Sequence, residues 1–207
     1  MANIIWQHLG DVDNYVEPFF GSGAVLFNRP TEPKVETVND LDCYLANFWR
    51  AVQQDPDGVA HCADWPVNEA DLHARHLWLV GRAEFRERMH EDPDYYDAKI
   101  AGWWVWGVCQ WIGSGWCAED TFYDDRAQLP HLGDPGRGLG PYMRAIAERL
   151  RSVRVCCGDW SRIVGPSVTT RLGLTGVLLD PPYADDDRAD VYAIEDSTIA
   201  YTVRDWA

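Results

Sequence analysis

Tyr15-Val16-Glu17-Pro18-Phe19-Phe20-Gly21-Ser22-Gly23-Ala24-Val25-Leu26-Phe27 is the stretch that decides the fold class. A short apolar run enters a glycine turn and leaves it as a second apolar run, the pattern of strand, turn and helix. Val35-Glu36-Thr37-Val38-Asn39-Asp40 then alternates like a second strand, and Leu41 to Gln54 places Leu41, Leu45, Phe48, Trp49 and Val52 at helical spacing. Strand, helix, strand, helix in this order predicts a parallel sheet and an α/β fold.

Further along, from about Asp55 to Pro141, the pattern changes to tryptophan-rich helical stretches and loops rich in Gly and Pro. It ends in Leu132-Gly133-Asp134-Pro135-Gly136-Arg137-Gly138-Leu139-Gly140-Pro141, read as a loop or boundary. The α/β pattern then resumes, with a helix over Tyr142 to Ser152, a strand over Val153 to Cys157, a helix near Trp160 to Val164 and a strand at Gly176-Val177-Leu178-Leu179. The expected layout is an α/β core of residues 1–59 and 142–207, interrupted by a mostly helical insertion, 60–141. No internal repeat is visible.

A chain of 207 residues, 46% hydrophobic and 25% charged, is long enough for one domain with a substantial core and is far from a disordered composition. It has no run of 18 or more apolar residues, and Met1 to Gly10 lacks the basic and apolar regions of a signal peptide, so a soluble, cytoplasmic protein without a membrane partner is expected. The six cysteines, Cys43, Cys62, Cys109, Cys117, Cys156 and Cys157, have no C-x-x-C spacing and read as reduced, buried thiols, with no metal expected. Acidic residues number 33 against 18 basic ones, a net charge of −15 that repels polyanions. Lys34 and Lys99 are the only lysines, and aspartates cluster in runs such as Asp185-Asp186-Asp187. Any contact to a polyanion must therefore come from local arginine patches.

Asp180-Pro181-Pro182-Tyr183 directly follows the last apolar strand, at the carboxyl end where open α/β sheets bind ligands. Consecutive prolines hold the backbone still around an acidic acceptor, although a proline turn that merely ends a strand would look the same. In Glu17-Pro18-Phe19-Phe20-Gly21-Ser22-Gly23, Gly21 and Gly23 let the backbone approach a nucleotide-like cofactor, although a third glycine of the dinucleotide fingerprint is absent. Asp40 ends the second strand 17 residues beyond Gly23, where a carboxylate can accept hydrogen bonds from ribose hydroxyls. Helix capping is an equal alternative for Asp40, and again for Asp159, which follows the Val153 to Cys157 strand.

Together, Glu17 to Gly23, Asn39-Asp40-Leu41-Asp42, Gly158-Asp159 and Asp180 to Tyr183 resemble, in order and context, the DNA adenine methylases of bacteria and their phages. The resemblance covers roughly residues 14–57 and 142–205. It implies a Rossmann-like S-adenosylmethionine-dependent methyltransferase fold, double-stranded DNA as partner, and a target-recognition region in the insertion. It further implies that Glu17, Pro18, Phe19, Gly21, Gly23, Asp40, Asp159 and Trp160 hold the cofactor, while Asp180, Pro181, Pro182 and Tyr183 form the catalytic motif. An adenine amine is a poor nucleophile because its lone pair is delocalised. The Asp180 side chain and the Pro181 carbonyl would accept hydrogen bonds from the amine, and Tyr183 would stack on a base rotated out of the duplex. Two alternatives stay open: methylation of another planar amine in a protein or RNA, and a binding remnant without activity. The aromatic-Gly-Gly-Lys segment that opens family members has no counterpart before Trp6, and the strands that follow their Asp-Pro-Pro-Tyr motif have none before Ala207. The expectation is thus a chain incomplete at both ends that binds S-adenosylmethionine weakly or not at all and methylates DNA negligibly. Neither the recognition sequence nor a paired restriction enzyme is legible.

Within the insertion, Trp103, Trp104, Trp106, Trp111 and Trp116 accompany Gln110 and the turn Gly113-Ser114-Gly115. Their spacing fits one apolar helix face, with base stacking as the functional alternative. Arg75, Arg82, Arg86 and Arg88 are the candidates for phosphate contacts, set against a solvated face paired with Glu84 and Glu87.

Overall fold

The computed structural model describes residues 1–32, 34–111, 116–117, 138–182 and 199–207. Tyr183, Gly113 to Gly115, the 132–137 part of the glycine-proline loop and Asp185 to Asp187 lie outside the described residues.

Among the described residues, four strands form one parallel sheet: β1 (Asn14–Glu17), β2 (Val35–Asp40), β3 (Val153–Cys157) and β4 (Thr175–Val177). Their spatial order is β3-β2-β1-β4, so the winding reverses between β1 and β4. Register is fixed by Tyr15 opposite Glu36 and Gly176, and by Asp40 opposite Cys157. All of β1 is buried, as expected of a central strand in a parallel sheet covered on both faces. The last strand was expected to run to Leu179. Its ladder ends at Val177, although the Leu178 amide still donates to the Val16 carbonyl at 2.9 Å.

The helices among the described residues are α1 (Ala2–Leu9), α2 (Ala24–Phe27), α3 (Cys43–Gln54), α4 (Pro56–Ala63), α5 (Glu69–Val80), α6 (Ala83–Glu91), α7 (Ala98–Val108), α8 (Leu139–Leu150) and α9 (Ile199–Trp206). Helix α3 starts two residues later than its apolar pattern suggests. Asp42 is its cap, accepting from the Tyr44 amide at 2.8 Å and the Leu45 amide at 3.4 Å. Helix α8 starts earlier than expected because Gly138, at φ 85°, turns the chain into it. The helix expected near Trp160 is a single 3-10 turn over Trp160–Ile163.

One apolar core joins the sheet to its helices through Tyr15 and Val38 from the strands, Trp6, Leu26, Phe48 and Val52, and Met143 and Leu150 of α8. It extends into Val59 and Ala60 of α4 and Ala101 of α7, so these helices share the sheet's core. Gly102 lets α7 pack closely on α4: a Cβ there would lie 2.4 Å from the Cys62 Cβ and 2.7 Å from the Val59 carbonyl oxygen. A second cluster groups Leu72, Leu79, Phe85, Met89, Ile100 and Trp106 with Cys43, Tyr44 and Cys157. Trp106 is buried, Trp116 packs against Gly107, and Trp103, Trp104 and Trp111 are partly buried, which is the packing role expected of this stripe.

Candidate active site

A cavity of about 500 Å³ opens at the carboxyl ends of β1, β2 and β4, where the strand order reverses. This crevice is where doubly wound sheets hold their ligands. Glu17 enters it from the end of β1, Phe19, Gly21 and Ser22 from the following loop, Asp40 and Asp42 from the end of β2, and Asp180 and Pro182 from beyond β4.

The loop after β1 is held from both sides. The Phe20 amide donates to the Asn39 carbonyl at 2.9 Å, and the Trp49 indole Nε1 donates to the Gly21 carbonyl at 3.1 Å. Asp40 fixes the same loop from the neighbouring strand, since its Oδ2 accepts from the Gly21 amide at 3.1 Å and its Oδ1 from the Asp42 amide at 3.0 Å. Asn39, fully buried, donates through Nδ2 to the Pro18 carbonyl at 3.1 Å and to the Gly158 carbonyl at 2.9 Å. One amide side chain thereby fastens three strand ends together.

Gly21 and Gly23 differ in role. Both have positive φ, at 50° and 69°. An added Cβ at Gly21 would meet nothing, whereas at Gly23 it would fall 2.6 Å from the Phe27 ring and 2.8 Å from Phe20. Gly23 is required by packing and is not on the cavity wall. Pro18 and Pro181 are also off the wall. Asp159 and Trp160, which the resemblance assigns to the cofactor, do not border the cavity. The Asp159 Oδ1 caps the 3-10 turn, accepting from the Ser161 amide at 2.9 Å and from the Ser161 hydroxyl. Trp160 is buried behind Phe19, with ring centroids 6.2 Å apart.

Acidic groups dominate the electrostatics. Burial pushes the Glu17 carboxyl up to about 8, with Asp180 and Asp40 adding repulsion, against a lowering hydrogen bond from Tyr15 Oη to Oε2 at 2.8 Å. Burial also raises Asp40, and burial followed by repulsion from Asp40 raises Asp42 to about 6. A cavity walled by Glu17, Asp40, Asp42 and Asp180 favours a ligand carrying positive charge.

Residues 1–96 match the D12 class N6 adenine-specific DNA methyltransferase family. The match takes in α1 to α6, with the glycine loop and Asp40, and bears out the resemblance over the motifs Glu17 to Gly23 and Asn39 to Asp42 that lie within it. Over that span the chain is similar to enzymes that methylate adenine in DNA, and the parallel α/β sheet is the fold such a D12 match calls for. No curated protein matches the chain.

Sequence reasoning missed part of this wall. Met1, Ala2 and Ile5 of α1, together with Leu178, Leu179 and Ile199, also line the cavity. Helix α1 has no side-chain cap at Met1, so the start signal a sequence reader relies on is missing. Its amphipathic register, which buries Trp6 with Nε1 donating to the Val25 carbonyl at 2.8 Å, was the available clue. The arginine candidates need revision as well. Arg75 is buried, its guanidinium 4.3 Å from the Trp106 ring centre and 4.8 Å from that of Trp103, so it is no surface contact for phosphate. Arg82 and Arg88 remain exposed while covering Trp78 and Tyr95. Among the described residues, no helix is long and apolar enough to cross a membrane.

Proposed function

We propose that this chain transfers a methyl group from S-adenosylmethionine to the N6 amine of an adenine rotated out of duplex DNA. The reading rests on one juxtaposition: Asp40 at the end of β2 and Asp180 beyond β4 border the same cavity at the reversal of the strand order. When bound, S-adenosylmethionine supplies a methyl group on a positively charged sulfur.

The residues present fit such a donor. The Asp40 oxygens accept backbone hydrogen bonds from Gly21 and Asp42, and a carboxylate's four lone-pair sites leave acceptor capacity for ribose hydroxyls. Gly21 leaves space for close approach. The cluster of carboxylates offsets the donor's positive charge. Pro18 and Trp160 support the wall from behind, through the Asn39 bridge and the contact with Phe19.

Asp180 is exposed on the cavity side and accepts a hydrogen bond from the target amine; the Pro181 carbonyl, assigned as second acceptor from its motif alone, has to turn toward the cavity to reach it. Holding both amine protons directs the nitrogen lone pair at the methyl carbon, so positioning supplies most of the rate. Tyr183, assigned from its motif, stacks on the extruded base. Incubation with methyl-labelled donor and duplex DNA tests the reading by mass spectrometry of the nucleosides. N6-methyladenine in DNA is the expected product. Label on RNA or protein but not on DNA adenine would overturn it, as would donor binding without any transfer.

A further inference from the structure

Scattered in sequence, two of the cysteines meet a histidine in space. Cys43 opens α3, Cys157 closes β3 and His90 lies in the last turn of α6. The Cys157 and Cys43 sulfurs are 3.6 Å apart, and Cys43 Sγ is 3.4 Å from His90 Nε2. All three donor atoms lie within 4.8 Å of one another, with both thiols buried and the histidine exposed.

These separations carry chemical information. In a tetrahedral site with Zn–S of ~2.3 Å and Zn–N of ~2.0–2.1 Å, two sulfurs stand ~3.8 Å apart and a sulfur and nitrogen ~3.6 Å. Both observed distances fall within a few tenths of an ångström of those edges. Two of the ligands are also fixed by backbone structure. Cys157 sits in the ladder opposite Asp40, and Cys43 follows the capping residue Asp42.

We propose that Cys43, Cys157 and His90 bind a zinc-class divalent cation, with solvent in the fourth position on the exposed His90 side. Thiolate and imidazole donors select zinc over magnesium or calcium, which prefer oxygen. On uptake both thiols release their protons to solvent, and two thiolates balance the charge of the ion. The ion ties α6 to the carboxyl end of the sheet, beside Asp40 and Asp42 in the wall of the cavity. This site does not depend on the proposed methyl transfer.

The test uses the full chain, reduced and stripped with chelator, then titrated with zinc against a chromophoric competitor and separately with cobalt. One equivalent of zinc, a tetrahedral cobalt spectrum with a thiolate-to-metal band, and a raised melting temperature are expected. Cys43→Ser and Cys157→Ser each diminish the thiolate band, and Cys109→Ser, at an exposed thiol outside the cluster, leaves it unchanged. His90→Ala, at an exposed position that spares the core, weakens zinc binding by at least the ~10–100-fold that loss of an outer-shell partner costs. The proposal fails if the reduced chain takes up no zinc, if cobalt is octahedral, or if folded His90→Ala binds zinc as tightly as the parent. It fails equally if Cys43 and Cys157 are recovered as a disulfide from protein kept with zinc and reductant.

Discussion

Glu17 combines burial with proximity to two other carboxylates, and its proton is therefore a reporter of the cavity. Its carboxyl is raised from 4.5 to about 8 on folding, so between these values the folded chain holds a proton that the unfolded chain has released. Stability falls as pH rises across that window, by at most roughly 1.4 kcal/mol per pH unit, and the loss levels off above about 8. Glu17→Gln should thus melt at higher temperature than the parent near pH 8, an advantage that shrinks as the pH falls toward 4.5 in thermal scans. A bound cation favours the ionised carboxyl, so calorimetric affinity for S-adenosylmethionine should rise with pH through about 8 in the parent and stay flatter in Glu17→Gln. In the proposed reaction Asp180 holds the target amine and not the donor, so Asp180→Ala is expected to abolish methyl transfer while leaving donor affinity within a few-fold. Unchanged turnover of labelled donor on duplex DNA would contradict this role. Glu17, Asp40 and Asp180 were legible because a strand end is a position a sequence can specify. The packing role of Gly23 was not, since it depends on where the rings of Phe20 and Phe27 fall. The Cys43, Cys157 and His90 cluster was equally hidden, because it joins segments whose proximity exists only after folding.

At the scale of elements, β2 carries a buried charge that its alternating pattern conceals. Glu36 is fully buried in the strand and accepts Arg29 Nη1 at 3.1 Å and a two-pronged contact from Arg149 at 2.7 and 2.8 Å. Arg29 also donates to the Val12 carbonyl, and Arg149 to the Leu26 carbonyl, so one carboxylate links β2 to the end of α2 and to α8. Glu36→Ala would leave the buried Arg29 uncompensated and should cost about 3–5 kcal/mol, read as a lower denaturant midpoint. The strands, α3 and α8 could be read from apolar periodicity, which reports which face is buried. Their ends could not, because they depend on Asp42 and Gly138 as local stops and starts. Helix α1 escaped notice because it has no cap and only eight residues.

For the whole molecule, the sharing of one core by the sheet, α4 and α7 predicts a single cooperative unfolding event. Calorimetry, tryptophan fluorescence and far-ultraviolet circular dichroism should give coincident transitions, and two resolved transitions would separate the tryptophan-rich helices from the sheet. If the chain acts on DNA as proposed, its net charge of −15 means that binding rests on local arginine contacts to phosphate, and affinity for duplex DNA should be modest at physiological ionic strength. The sheet's connectivity also sets a schedule. Asn39 on β2 closes its hydrogen bond with Gly158, 119 residues later in the chain. At a synthesis rate of ~5–20 residues per second, β2 leaves the ribosome roughly 6–24 s before the partner strand that covers its free edge. For that interval β2 lacks the partner that covers its free edge, and an unpaired strand edge is a template for pairing with neighbouring nascent chains.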